Sequence, residues 1–424
     1  MTASRIRAAS ALVDDAVARD VVFTVRAGVI TAIETDAASA PADTVCDVLA
    51  PGAIDAHSHA FHRLLRGRTH ADGGDFWQWR TRMYAEAAAL TPEGCERVAT
   101  QVYRELRDAG CTTVAEFHYV HHRPDGSPYP DHDMERALVR AARAVGIRLV
   151  LLDACYLRGG VDQALGPQQR RFGDASAHAW LERWHRLRDA LAEDADRPET
   201  PGVSVAAAVH SVRAVTPDDL AVIAAGLPAD VPLHVHVSEQ PAENDACLKA
   251  YGRTPVGLLA ESGLLSPRLW AVHATHLSDA DIALLGEAGA TIVMCPTTEA
   301  DLGDGIGPAP ELLAAGARLA IGSDQHAVAD PWEETARLEL DQRLRLRRRG
   351  VFSPMQLWQA AAGGRPGPAG FRIGDAFDAV EFDLRSARTA GADPAQLPLV
   401  ARGTDVRTVF VGGRAHRRDE RSVS

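Results

Sequence analysis

Two histidines stand two residues apart in His57-Ser58-His59, and residues i and i+2 of a β-strand project from one face, so both imidazoles can reach a single ion. With 17 histidines in 424 residues, about one such pair is expected by chance, and the pair alone decides little. Further donors follow at wide intervals: His236 with Glu239 three residues on, then His273, then Asp324. Three imidazoles and a carboxylate suit zinc or a similar divalent ion and leave room for a water, which is the chemistry of metal-assisted hydrolysis.

For residues so far apart to meet, the elements that carry them must converge. From about residue 51 onward, short β-branched or apolar runs alternate with longer helical patterns, which predicts consecutive βα units and a parallel sheet. Eight strands are expected, over Ala53 to Ala56, Thr112 to Phe117, Arg148 to Ala154, Val203 to Val209, Pro232 to Val237, Leu269 to His273, Thr291 to Cys295, and Arg318 to Ser323. A helical pattern follows each. Examples run over Pro92 to Ala109, Met134 to Val145, Ala177 to Leu191, Pro217 to Ala225 and Pro331 to Arg348, several opening beside a Thr-Pro or Asp-Pro pair suited to a helix N-terminus. Eight such units predict an α/β fold, a TIM-like (β/α)8 barrel over residues 51–370. That fold gathers reactive groups at the C-terminal ends of its strands. His57 and His59 lie at the end of the first predicted strand, His236 the fifth, His273 the sixth and Asp324 the eighth.

The ends of the chain read differently. Residues 1–50 hold a hairpin pattern, Val21 to Val25 and Val29 to Glu34 around Ala27-Gly28, and residues 371–424 hold strand patterns over Ala379 to Phe382 and Val406 to Val411. Neither end can bury a sizeable core alone, so the two are expected to join in one small β-rich domain beside the barrel. A content of 46% hydrophobic and 24% charged residues excludes a disordered or fibrous chain. The net charge of -12 repels nucleic acid and anionic membrane and leaves a small molecule as the expected partner. No run approaches the roughly 20 apolar residues of a bilayer span, and Met1 to Asp20 lacks an uninterrupted apolar core, so a cytoplasmic protein is expected. The six cysteines are scattered without a C-x-x-C pair, which argues for reduced, mostly buried thiols and against a disulfide framework or a thiolate zinc site. Arg343, Arg345, Arg347, Arg348 and Arg349 read as the solvated, cationic end of a helix.

The motifs PGAIDAHSHA, HVSEQ, AVHATH and IGSDQHA resemble, in order and spacing, the metal-site motifs of the amidohydrolase superfamily. The resemblance covers essentially the whole chain, including the split β-rich domain. It implies metal binding by His57, His59, His236 and Asp324, and catalytic roles for Glu239, His273 and Asp324. Many members bridge two metals with a carboxylated lysine at the end of the fourth strand. Lys249, the only lysine here, follows the fifth strand, so one ion per chain, zinc by the resemblance, is the consistent reading. His234 competes with His236 from two residues back on the same strand face. The His-x-x-Glu spacing of His236 and Glu239 resembles the deaminase pattern and favours His236.

Longer motifs bear on the substrate. HSHAFHRLLRG, FWQWRTRMY, VAEFHYVHHRPDGSPY, RRF and HSVRAV together resemble the formimidoylglutamate deiminase family of histidine degradation. This resemblance implies hydrolysis of N-formimino-L-glutamate to N-formyl-L-glutamate and ammonia. In that scheme a water activated at the metal gives a proton to Asp324, Glu239 serves the imino nitrogen, and His273 steadies charge on the attacking oxygen. A dicarboxylate needs charged and neutral donors, which Arg80, Arg213, Tyr119 and His210 supply. His62 stands where some members carry glutamine, and a histidine there can still donate to a carboxylate. Without the resemblance, Arg80 among Phe76, Trp77, Trp79 and Tyr84 reads as an arginine stacked on a ring, and Tyr119 with His118, His121 and His122 as a polar loop. Two rival functions remain. A mononuclear deaminase of a nucleobase or other aminoheterocycle, guanine for example, would want a flat-ring pocket in place of two separated cationic anchors. A non-catalytic binding barrel would be expected to lack ligands that this chain keeps. The resemblance also implies a homodimer.

Overall fold

The computed structural model describes residues 3–69, 76–195, 197–198 and 201–417, with the backbone alone at Phe76, Trp77 and Asp194. The loop from Arg66 to Phe76 therefore lies partly outside the described residues, as do the side chains of Phe76 and Trp77. Strands β1 (Ser4–Val13), β2 (Ala16–Arg26), β3 (Val29–Glu34) and β4 (Thr44–Pro51) come first. The barrel strands follow: β5 (Ala53–Ser58), β6 (Cys111–His118), β7 (Arg148–Cys155), β8 (Val203–Ser211), β9 (Leu233–Val237), β10 (Leu269–His273), β11 (Thr291–Met294) and β12 (Arg318–Ile321). The chain returns through β13 (Ala379–Phe382), β14 (Val406–Val411) and β15 (Arg414–Arg417).

The eight strands β5 to β12 form one parallel sheet in sequence order, each joined to the next through helices. Every residue of β9 and of β11 is buried, as parallel strands covered on both faces require; β11 reads as a near-continuous apolar run, while β9 interleaves His234 and His236 with its apolar residues. The helices open where the sequence marks them. Thr91, Thr216 and Thr254 accept an early backbone N–H and are followed by proline at the first helical position, and Ser176 and Ser278 cap in the same way. The helix predicted to reach Arg348 stops at Leu346 because Arg347 takes a left-handed backbone, φ 52°.

Barrel closure is local to the candidate site. The His59 N–H donates to the Asp324 carbonyl at 3.0 Å and the Asp324 N–H donates to the His57 carbonyl at 2.9 Å, so the backbone that joins the last strand to the first also joins three predicted ligands. Gly322 permits this approach: a Cβ there would lie 2.8 Å from the His57 Cβ and 2.9 Å from its carbonyl oxygen.

The remaining strands form a seven-stranded mixed sheet in the order β15-β14-β13-β4-β1-β2-β3, in which β13 pairs antiparallel with β4 and ties the two ends of the chain together. Its core includes Phe23 against Phe371 and Phe377, with ring centroids 5.0 and 5.5 Å apart. Arg148 of β7 donates to Asp378 at 2.7 Å and fastens this sheet to the barrel. The predicted hairpin is β2 and β3, with β2 reaching back to Ala16, while β1, β4 and β15 were not expected from sequence. All six cysteines are buried and unpaired. No helix among the described residues is long and apolar enough to cross a membrane.

Candidate active site

His57, His59, His236 and Asp324 converge at the C-terminal mouth of the barrel, all buried. The three Nε2 atoms form a triangle with sides of 3.1, 3.0 and 3.4 Å, and Asp324 Oδ1 lies 3.4 Å from the Nε2 of both His57 and His59. A tetrahedral zinc with arms of about 2.0–2.1 Å has donor–donor edges of about 3.3 Å, so these spacings fit one such ion. The donor chemistry agrees. His59 Nδ1–H donates to the Phe117 carbonyl and His236 Nδ1–H to the His210 carbonyl, each at 2.8 Å, which leaves a lone pair on both Nε2 atoms aimed at the same point. Burial holds His57, His59 and His236 below the ordinary imidazole range. Burial alone would raise the Asp324 carboxyl, but His57 and His273 hold it well below the usual carboxylate range. Neutral imidazoles beside an ionised carboxylate are the protonation states that metal binding needs.

The backbone is strained where it aims these groups. His273, Ala274, Ser238, Asp324 and His326 all take left-handed conformations, with φ between 44° and 68°. Such residues cost about 1–2 kcal/mol each outside glycine, and they cluster here at strand ends. His273 Nε2 lies 3.7 Å from Asp324 Oδ2 and 3.9 Å from Glu239 Oε1, while its Nδ1 lies 3.4 Å from Glu299 Oε1. Burial pulls this imidazole down, but Glu239, Glu299 and Asp324 together push it up to about 10.

A cavity of about 320 Å³ opens above the four-residue set. His59, His236, Glu239, His273 and Asp324 line it together with all five predicted substrate residues, His62, Arg80, Tyr119, His210 and Arg213. His62 Nε2 lies 2.8 Å from Tyr119 Oη. Arg80 donates to Tyr84 Oη at 2.7 Å and to the Gly159 carbonyl at 3.3 Å, and its guanidinium lies over the Tyr84 ring, so the stacking expected from sequence coexists with a place on the cavity wall. The His210 ring packs edge-on to Tyr156, 4.5 Å between centroids. Arg213 Nη2 lies 3.5 Å from Glu239 Oε2 and its Nε 3.7 Å from Glu243 Oε1.

Other predicted candidates lie elsewhere. His234 is buried and stacked on Trp270 at 5.0 Å, outside the four-residue set, whereas His236 is within it. Lys249 is exposed on the helix Pro241–Tyr251. His118, His121 and His122 are a buried network rather than a loose polar loop. His121 Nδ1 lies 2.8 Å from Glu135 Oε1, His118 Nε2 lies 3.5 Å from the same oxygen, and His122 Nε2 lies 3.5 Å from Asp174. Arg183 Nη1 sits 3.3 Å from His121 Nδ1 and supplies the cation there.

Sequence reasoning missed Glu243, Glu299, Tyr156 and Gln163. Glu243 stands one helical turn after Glu239, a spacing that could have flagged it. Glu299 accepts from the Cys295 N–H at 2.9 Å and meets His273 across 26 residues of chain, with no local signal.

A family profile described as amidohydrolase family matches residues 48–415. The chain is 40% identical to a formimidoylglutamate deiminase of Pseudomonas aeruginosa over 99% of its own length and 95% of that protein. It is 31% identical to an 8-oxoguanine deaminase of the same species, over 86% and 81%. Among solved structures it is similar to an amidohydrolase from Brucella melitensis, with TM-score 0.89 and 34% identity over 98% of this chain and 95% of that one. An adenosine deaminase from Xanthomonas campestris with bound zinc matches with TM-score 0.80 and 25% identity over 97% and 92%.

Proposed function

This chain belongs to the amidohydrolase family, and from that premise we propose that it hydrolyses N-formimino-L-glutamate to N-formyl-L-glutamate and ammonia, a step of histidine degradation. The observation that carries the reading is one cavity lined by the convergent histidine–aspartate set and by two guanidinium groups, Arg80 and Arg213, suited to a substrate with two carboxylates. The 40% identity to a formimidoylglutamate deiminase along almost the whole chain supports it.

His57, His59, His236 and Asp324 would hold one divalent ion, zinc by the nitrogen-rich donor set. Bound there, such an ion supplies Lewis acidity and acidifies a water toward neutral pH. The chain's own groups do the rest. Asp324 Oδ2 faces His273 and is placed to take a proton from the attacking water. His273 Nε2–H faces the same region and stabilises negative charge as it develops on the attacking oxygen. Glu239 delivers protons to the imino nitrogen. The water oxygen becomes the formyl oxygen, the carbon–nitrogen bond to the imino nitrogen breaks, and both water hydrogens leave on that nitrogen as ammonia. Arg80, Arg213, Tyr119, His62 and His210 orient the carboxylates.

Ammonia release from N-formimino-L-glutamate by zinc-loaded protein, beside guanine, cytosine and adenosine, tests the proposal. Turnover of the formimino acid alone is expected. Turnover of a heterocycle alone would favour the aminoheterocycle reading that the 8-oxoguanine deaminase relative invites and would overturn the substrate assignment.

A further inference from the structure

Arg213 touches the reaction machinery as well as the cavity. Its guanidinium lies between two carboxylates, 3.5 Å from Glu239 and 3.7 Å from Glu243, in ion-pair range of both and beyond good hydrogen-bond length. Arg213 Nε and Glu243 Oε1 are buried with no hydrogen-bond partner. Glu243 is fixed from behind, since its Oε2 accepts the Glu239 N–H at 3.3 Å. Glu239 itself meets the Arg213 guanidinium through Oε2, while its Oε1 lies 3.9 Å from His273 Nε2. A carboxylate paired with a guanidinium is poorly placed to carry a proton to a leaving nitrogen, so something must loosen that hold when substrate is present.

We propose that Arg213 is a carboxylate-operated latch: in the free protein its guanidinium holds Glu239, and a substrate carboxylate takes the guanidinium over and frees Glu239 for proton transfer. The inference rests on the reading of the site as a formimino-acid hydrolase. Its geometry supplies the occupant, because the Arg213 side chain, 21% exposed, lines the cavity and a carboxylate binds a guanidinium with shorter, better aligned hydrogen bonds than Glu239 or Glu243 now makes. Arg213 then selects for substrates that carry the carboxylate through turnover rate as well as binding, since a truncated substrate leaves the latch closed.

The test uses N-methylformamidine, which has the reacting group and no carboxylate, with propionate as the separate carboxylate. In the intact zinc-loaded protein, propionate is expected to raise turnover of N-methylformamidine by about two- to fivefold, the range a partly exposed ion pair can supply. Arg213→Met is expected to raise N-methylformamidine turnover without propionate, abolish the propionate effect, and lower kcat/KM for N-formimino-L-glutamate. Opposite signs on the two substrates cannot come from a purely structural defect. Propionate that inhibits or does nothing in the intact protein, N-methylformamidine that is not turned over under any of these conditions, or an Arg213→Met protein that slows both substrates alike would each overturn the latch. Loss of the underlying substrate reading shows separately, as intact protein that fails to release ammonia from N-formimino-L-glutamate.

Discussion

Arg183 carries the cationic charge of the buried network behind the cavity wall, and Arg183→Met is expected to destabilise the protein in a pH-dependent way. Its Nη1 donates to Asp153 Oδ2 at 2.6 Å, and its Nε and Nη2 donate to the Asp174 carboxylate at 3.0 Å each. The side chains of Asp153 and Asp174 are 0% and 6% exposed, so methionine strands two desolvated carboxylates. Breaking a buried pair from one side costs about 3–5 kcal/mol. A second bound comes from titration. An orphaned aspartate need never cost more than its own protonation, about 1.36 kcal/mol per pH unit above 3.9, or about 4 kcal/mol at pH 7 and about 1.5 kcal/mol at pH 5. In the intact protein, burial alone would raise Asp174, but Arg183 and His122 hold it well below the usual carboxylate range. The depressed carboxyl of the intact protein keeps its contribution at every pH above its unfolded value, so between pH 7 and pH 5 only the variant changes: an orphaned, desolvated aspartate binds a proton more tightly folded than unfolded, and the difference between variant and intact protein shrinks on acidification. Guanidinium chloride unfolding, followed by tryptophan fluorescence at pH 7 and pH 5, should give a loss of about 4 kcal/mol at pH 7 falling to no more than about 3 kcal/mol at pH 5, the bound for two orphaned aspartates. A loss below about 1 kcal/mol at pH 7, or one independent of pH, would refute this account of the network.

Four further substitutions separate the roles assigned to individual residues. His236→Ala should abolish zinc binding by elemental analysis, while His234→Ala should keep one ion and cost about 2–4 kcal/mol of stability through the cavity left beside Trp270. Lys249→Ala should leave both metal stoichiometry and turnover unchanged, since Lys249 is exposed on the helix Pro241–Tyr251 and is not among the residues lining the cavity; loss of metal would reopen a two-metal centre. Gly322→Ala should cost about 1–3 kcal/mol by overpacking and weaken zinc affinity in a competition titration, because the added Cβ falls 2.8 Å from His57.

The barrel was legible because its parallel strands are buried on both faces and read as apolar runs, and because the caps Thr91-Pro92, Thr216-Pro217 and Thr254-Pro255 mark the helix starts. The candidate metal set was legible because each member ends or follows a strand, where the fold delivers side chains to one mouth. What escaped depends on pairing over distance. Strand β1 pairs with β2 but also parallel to β4, Ile6 opposite Thr44, a register that no local pattern announces. Glu299 and the Glu135, Asp153, Asp174 and Arg183 network escaped for the same reason: each looks like an ordinary helix, strand or loop charge until the neighbouring element is in place. His118, His121 and His122 show the converse, a histidine cluster in sequence whose members turn away from the cavity to satisfy that network.

In the proposed reaction, water oxygen replaces the imino nitrogen of a formimino acid and the bond to glutamate stays intact. The most direct measurement is mass spectrometry of the products from N-formimino-L-glutamate turned over in oxygen-18 water, with ammonia assayed alongside. The account predicts N-formyl-L-glutamate carrying one heavy oxygen in its formyl group, with ammonia in equal amount. Free glutamate with formamide would mean that the other carbon–nitrogen bond breaks, and would contradict the assignment of Glu239 to the imino nitrogen and of Arg80 and Arg213 to a substrate held whole.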